Sequence, residues 1–287
     1  MSISFLDLTW VLVIILILVP VVQRWMIENT RRNLIRRFEK KRGSRLITLI
    51  HRQEALSFLG LAFARFIDIE DSEQVLRAIR LTSTETPIDI VLHTPGGLVL
   101  AAEQIAHALI RHKAPVTVFI PHYAMSGGTL LALAADKIVM DPNAVLGPVD
   151  PQLGQYPASS IIHVTEIKAV NDTDDETLIL ADVARKAVDQ VNHVVRTILT
   201  GNGMDAQRAS ELSDTLTCGQ WTHDYPISFE EAQSIGLPVS SDLPEEITQL
   251  MELYPQGGGR RPSVQYIPVP YPRPERPSPA PARKQRQ

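Results

Sequence analysis

Ala124-Met125-Ser126-Gly127-Gly128-Thr129 is the stretch that decides how this chain is read. It follows the apolar run Val116-Thr117-Val118-Phe119-Ile120 and precedes Leu130-Leu131-Ala132-Leu133-Ala134-Ala135. The first run reads as a buried strand, and the second as a helix rich in Ala and Leu. A serine at such a turn has its hydroxyl lifted clear of the backbone, and Gly127 lets another segment come close. The unpaired N–H groups of the new helix turn favour negative charge beside that hydroxyl. An acyl-transfer nucleophile needs this setting. Taken alone, the hexapeptide reads more simply as an N-cap serine on a tightly packed helix.

A second stretch separates the two readings. Ile88-Asp89-Ile90-Val91-Leu92-His93 is another strand-like run, ending in Thr94-Pro95-Gly96-Gly97 and followed by a helical pattern from Leu98 to Arg111. Two strand–glycine–helix units in succession predict an α/β fold with a parallel sheet, both glycine turns at its carboxyl edge. Gly97 would then present its N–H towards Ser126, and with the Gly127 N–H would form a two-donor oxyanion hole.

These strings resemble a known family. Thr94-Pro-Gly-Gly-Leu-Val-Leu-Ala-Ala102, Met125-Ser-Gly-Gly-Thr129 and the stretch Asp141-Pro-Asn-Ala-Val-Leu-Gly-Pro-Val-Asp-Pro-Gln-Leu-Gly154 are similar to the serine dehydrogenase proteinases, with Trp221-Thr-His-Asp-Tyr-Pro-Ile227 a further family-like string. That group sits in the Clp-protease and crotonase superfamily, beside signal peptide peptidase A and the stomatin-associated proteases. The resemblance spans roughly residues 44 to 254 and implies a spiral of parallel βαβ units, a serine endopeptidase and no cofactor. It also implies a homo-oligomer, polypeptide substrates that include membrane proteins or their fragments, and a stomatin-like partner. Nothing resembles a dehydrogenase, because Pro95-Gly96-Gly97 is not a G-x-G-x-x-G turn and no acidic ribose reader follows.

Composition agrees with a globular domain carrying appendages: 287 residues, 44% hydrophobic and 21% charged. A net charge of −4 gives no reason to expect a nucleic-acid partner. The single cysteine, Cys218, forbids an internal disulfide, suits a reducing compartment and reads as a small half-buried hydrophobe. No His/Cys/Asp cluster has metal-ligand spacing, so no metal is expected.

At the amino end, Ile3 to Ile27 is almost unbroken apolar sequence with Trp10 and Trp25 towards its ends, which predicts a transmembrane helix as an uncleaved anchor over residues 1–27. A cleaved signal peptide is disfavoured, since no basic residue precedes the run and no small-x-small site follows it. Arg24, Arg31, Arg32, Arg36, Arg37, Lys40, Lys41, Arg42 and Arg45 all lie on the carboxyl side. The positive-inside rule therefore places the rest of the chain in the cytoplasm, single-pass at the cell membrane. Residues 28–43 read as a basic juxtamembrane helix, with Leu34, Ile35 and Phe38 on one side against anionic headgroups, or as a stalk or a solvated charge run.

The remaining elements follow in order. Arg45–His51 reads as a first strand, a loose apolar connection follows, and a helix runs over Glu70–Leu81. Asp136–Met140 is a strand, Asn143–Gly154 a loop broken by Pro and Gly, and Ser159–Val164 is readable as a strand. Thr173-Asp-Asp-Glu176 reads as a capping box opening a helix to about Leu199. That helix carries one apolar seam through Leu180, Val183, Ala184, Ala187, Val188, Val191, Val194, Val195 and Ile198. Shorter helices near Asp205–Leu212, Ser228–Ile235 and Pro244–Leu253 close the peptidase domain of residues 44–254. Residues 255–287, rich in Pro and Arg, read as a disordered tail.

The base that would activate Ser126 is less clear from sequence. A Clp-type triad wants a histidine one strand beyond the nucleophile, where this chain has Gly147-Pro-Val-Asp150. His122 and His163 lie outside any matching motif, and His93 reads as a buried, hydrogen-bonded imidazole. The related membrane peptidases use a lysine, which works only when an apolar pocket keeps it neutral. Lys186 corresponds to the lysine of the stomatin-associated proteases and Lys168 to that of signal peptide peptidase A. The helical wheel turns Lys186 away from the seam, onto a polar face with Asp189, Gln190 and His193. Two other functions stay open: crotonase-like acyl-CoA chemistry, which needs a carboxylate pair, and a non-catalytic scaffold for membrane partners.

Overall fold

The structure, a computed structural model, describes residues 5–51 and 66–254, with side chains from Leu16 onward except that of Ile17. The loose connection after the first strand and the tail of residues 255–287 lie outside the described residues.

Helix α1 (Phe5–Arg42) leads into strand β1 (Arg45–Ile50), helix α2 (Ile69–Arg80), β2 (Ile88–His93), α3 (Val99–Ile110) and β3 (Val116–Ile120). The short β4 (Tyr123–Ala124), α4 (Gly127–Leu133), β5 (Lys137–Met140) and β6 (Val145–Leu146) come next. A tight pair, β7 (Gln152–Leu153) and β8 (Tyr156–Pro157), precedes α5 (Ala158–Ile167), the long α6 (Asp175–Gly201) and α7 (Ala206–Thr217). Helix α8 (Phe229–Ser234), strand β9 (Val239–Ser240) and α9 (Glu245–Glu252) are the last elements among the described residues.

The main sheet is parallel, in the order β1-β2-β3-β5-β9. Its strands read as continuous apolar runs because helices cover both faces. With a side-chain period of two, Leu46, Val91, Phe119 and Val139 point to one face, where they pack with Leu34 and Phe38 of α1 and Ile247, Leu250 and Met251 of α9. Ile47, Ile90, Leu92, Val118, Ile120, Ile138 and Met140 face the other way, into the main core with α3, α4 and the carboxyl half of α6. Both expected βαβ units are present, and both glycine turns lie at the carboxyl edge of the sheet.

Several expectations need correction. Leu34 and Phe38 lie in the second core cluster, so the apolar side of the basic segment packs on the domain and not on headgroups. Arg42 Nε and Nη2 reach the buried Asp89 carboxylate of β2 at 2.6 and 3.0 Å, and Lys41 pairs with Glu246 of α9, fixing this helix to the sheet. Among the described residues no helix is long and apolar enough to cross a membrane; of the transmembrane anchor expected over residues 1–27, residues 1–4 and the side chains of residues 5–15 and Ile17 lie outside the described residues.

Residues 159–164 are helical, not extended. Ala158 and Ile161, three apart on α5, pack against Ala181 and Ala184 of α6 in a third small cluster. The long helix starts one residue later than its capping box suggested, with Asp174 as N-cap accepting the Thr177 N–H at 2.9 Å. Its seam is also divided. Val191, Val194, Val195, Ile198 and Leu199 join the main core, Ala181 and Ala184 pack in a separate cluster with α5 and Leu153, and Leu180 and Val183 are exposed. The α5–α6 hairpin thus carries its own small core. Cys218 is exposed, not half-buried.

Candidate active site

Beyond the carboxyl edge of the sheet, four segments lie side by side. Thr94 bridges Ala124, β4 pairs in parallel with β6 at Ala124↔Leu146, and Leu146 bridges Ile227 in antiparallel sense. Thr129 ties this layer to α4. Its hydroxyl lies 2.8 Å from the carbonyls of Ala124 and Gly147 and accepts the Gly147 N–H at 3.1 Å. Gly147 carries no side chain because Met125 occupies the space, with Cε 2.5 Å from where a Cβ would stand.

Ser126 caps the start of α4 with φ 50° and ψ −113°, and among the described residues no other non-glycine has positive φ. Such a backbone costs ~1–3 kcal/mol and persists only where its surroundings enforce it. The enforcing contacts are visible: Gly128 N–H donates to Met125 O at 2.7 Å, Leu130 N–H to Ser126 O at 3.0 Å, and Met125 N–H to Thr94 O at 3.0 Å. The Ser126 side chain makes no cap bond and has no hydrogen-bond partner among the described residues.

The Gly96-Gly97 turn lies directly against this serine. A Cβ on Gly96 would stand 2.8 Å from Ser126 Cβ and 2.9 Å from Met125 O. One on Gly97 would stand 2.2 Å from the Ile67 carbonyl oxygen, because Gly97 forms a bridge with Ile67: Ile67 N–H donates to Gly96 O at 2.7 Å and Leu98 N–H to Ile67 O at 2.8 Å. These bonds use the groups on either side of Gly97 and leave its own N–H on the opposite side. The Gly97 nitrogen lies 3.5 Å from the position of a Gly127 Cβ. Neither the Gly97 nor the Gly127 N–H has an acceptor among the described residues. The structure thus brings Ser126, Gly97 and Gly127 together as the sequence suggests.

It does not bring the candidate lysines to them. Lys186 is exposed on α6 and pairs with Asp182 one turn away, and Lys168 is exposed at the carboxyl end of α5. The carboxyl end of α6 is anchored where Asn202 Nδ2 donates to the carbonyls of Leu133 and Ala135, at the far end of α4. At 1.5 Å per residue Lys186 lies ~24 Å along the helix from Asn202, whereas the seven-residue α4 is only ~10 Å long. Both lysines therefore belong to the hairpin beyond the main core.

Among the histidines, His93 is buried with Nδ1 3.2 Å from His51 O, as expected, while His122 and His163 are exposed. Sequence reading passed over His223, whose Nδ1 lies 2.8 Å from the buried Asp150 carboxylate, which also accepts from Gln152 at 2.6 Å. The hydrogen bond to Asp150 raises the His223 pKa above its ordinary value despite partial burial. The pair forms because 146 and 227 are bridged in antiparallel register, placing 150 opposite 223. The only signal in the sequence was the shared apolar end of the two strings. A second pair, His51 with Asp71, borders the same cleft as Gly97. That cleft, of about 700 Å³, is also bordered by Phe66, Gln74 and Leu98.

Over residues 1–281 the chain matches the model of a family described as ClpP-like SDH-type serine proteinases. It is 53% identical over 261 residues to the uncharacterized protein MJ0137 of Methanocaldococcus jannaschii, covering 91% of each chain. MJ1495 of the same organism is 55% identical over 240 residues, covering 84% of this chain and 82% of that one. Among solved structures, a mutant of the 1510-N membrane-bound stomatin-specific protease aligns over 65% of this chain and 79% of its own, at 22% identity and a TM-score of 0.42. The whole-length match and the two long relatives agree with the glycine turns around Ser126, and the chain belongs to the ClpP-like SDH-type serine proteinase family.

Proposed function

We propose that this serine peptidase hydrolyses peptide bonds through an acyl-enzyme on Ser126, with the N–H groups of Gly97 and Gly127 as the oxyanion hole. One observation carries the reading: Ser126 has a strained backbone, and among the described residues its hydroxyl has no partner and the two neighbouring N–H groups of Gly97 and Gly127 have no acceptor. Ser126 Oγ attacks the scissile carbonyl and gives its proton to the base. The oxyanion collapses, the proton passes to the leaving amine, and water hydrolyses the ester by the same route.

For the base we retain a lysine, Lys186 in first place and Lys168 as the alternative. Their position on the hairpin means that either would act at Ser126 of a neighbouring copy in a homo-oligomer. A second reading rests on the His223–Asp150 pair, since a histidine whose Nδ1 is held by a carboxylate leaves Nε2 as the proton acceptor.

We further place the amino-terminal run at a membrane, with polypeptides of that membrane as substrates and the domain on the cytoplasmic side. The support is the apolar sequence, its one-sided basic flank, and the exposed Leu16, Leu18, Val21, Trp25 and Met26. The test is hydrolysis of an unstructured polypeptide by the full chain. Ser126→Ala is expected to abolish it, and full activity in that variant would overturn the proposal.

A further inference from the structure

The His51–Asp71 pair takes no part in the chemistry above, yet it is joined to the oxyanion turn by an unbroken line of buried hydrogen bonds. His51 Nε2 lies 3.1 Å from Asp71 Oδ2, and His51 Nδ1 lies 3.0 Å from Thr94 Oγ1. Thr94 Oγ1 accepts the Gly96 N–H at 3.2 Å. His51 and Thr94 are both buried. A carboxylate can only accept, so the His51 nitrogen facing Asp71, Nε2, carries a proton, and Nδ1 faces the Thr94 hydroxyl. Thr94 Oγ1 also lies 3.4 Å from Gly96 O, so the hydroxyl sits between the His51 ring and both backbone polar groups of Gly96. Asp71 is itself held, because the same Oδ2 accepts the Asp68 N–H at 3.0 Å in the capping box that opens α2. Thr94 is also the hinge between the two glycine turns: its carbonyl accepts the Met125 N–H, and its Cγ2 fills the space beside Gly128.

We propose that His51, oriented by Asp71, is a positioning residue that acts through Thr94 to fix Gly96, whose carbonyl shares its peptide with the Gly97 N–H, and so aims that N–H at the oxyanion. This rests on the peptidase reading of Ser126, but the hydrogen-bond line itself can be tested without it.

The experiment compares the full-length wild type with Thr94→Val, Thr94→Ser, His51→Ala and the Thr94→Val/His51→Ala double variant. Valine keeps the methyl beside Gly128 and removes the hydroxyl, while serine keeps the hydroxyl. Misaiming a catalytic donor is expected to lower kcat by about 10-fold or more, with KM changed less than about threefold, in both Thr94→Val and His51→Ala. Thr94→Ser should retain kcat within about threefold, and the double variant should lose no more than the worse single, since both break one line. Backbone amide exchange by NMR reads the same line directly. The Gly96 N–H should exchange about 10-fold faster in Thr94→Val and be unchanged in Ser126→Ala. A wild-type kcat in Thr94→Val, multiplying losses in the double variant, or unchanged Gly96 exchange each overturns the proposal. Failure of the peptidase reading has a different signature: wild type and Ser126→Ala are then indistinguishable in hydrolysis, while Gly96 exchange still decides the role of Thr94.

Discussion

Replacing Gly97 by alanine puts the oxyanion geometry under the sharpest strain. The new Cβ would stand 2.2 Å from the Ile67 oxygen, 2.4 Å from its nitrogen and 2.7 Å from its Cα, all backbone atoms that cannot swing aside. Real Cβ contacts essentially never fall under 3.0 Å, so the turn and the Ile67 segment must part by about 0.8 Å. That opening strains or breaks the two bridging hydrogen bonds, which at ~1 kcal/mol each predicts a stability loss of ~2 kcal/mol. It also moves the Gly97 N–H, and misplacement on this scale costs ~10²-fold in rate, or ~3 kcal/mol of transition-state stabilisation. The assay is kcat on a peptide substrate together with the rate of fluorophosphonate labelling, at a temperature where thermal melts show the variant fully folded. Labelling and kcat should fall together, because both need the oxyanion donor. A folded Gly97→Ala protein with kcat within about threefold of wild type would refute the assignment of Gly97.

Three further outcomes follow from the same structure. Arg42→Ala leaves the Asp89 carboxylate buried without its bidentate partner and should cost ~3 kcal/mol in chemical unfolding, since removing one partner strands the other charge; a change below ~1 kcal/mol would show that the contact between helix and sheet contributes little. Because the folded-state pKa of His223 is raised, its pair with Asp150 stabilises fully below the unfolded value of about 6.5 and loses that contribution as pH rises through the folded value, so the Tm difference between wild type and Asp150→Asn should be larger near ~pH 6 than near ~pH 9. Lys186→Met should abolish hydrolysis while Lys168→Met leaves it within about threefold, and the reverse result would exchange their roles.

The sheet was legible because its strands are buried on both faces and end in glycine turns, signals that lie within a dozen residues of one another. The juxtaposition of Ser126, Gly127 and Gly97 was legible for the same reason: all three follow the ends of strands at one edge of the sheet. Features governed by distant contacts were not. Residues 159–164 are rich in β-branched side chains and look extended, but packing on Ala181 and Ala184 makes them helical. Leu34 and Phe38 read as lipid-facing because nothing local showed that α9 and the sheet would cover them. The pairs His223–Asp150 and His51–Asp71 join residues far apart in sequence, through an antiparallel bridge and a helix cap that period alone cannot reveal. Lys186 and Lys168 correspond to lysines of related peptidases by resemblance, Lys186 on the long helix and Lys168 before it; that the amino half of this helix leaves the main core was concealed by its single seam.

The most direct test of the central claim is to label the full-length protein with a fluorophosphonate and locate the adduct by peptide mass spectrometry. The account predicts one phosphonylated residue, Ser126, with the adduct absent in Ser126→Ala at unchanged Tm. An adduct on another side chain, or equal labelling of the Ser126→Ala protein, would contradict it.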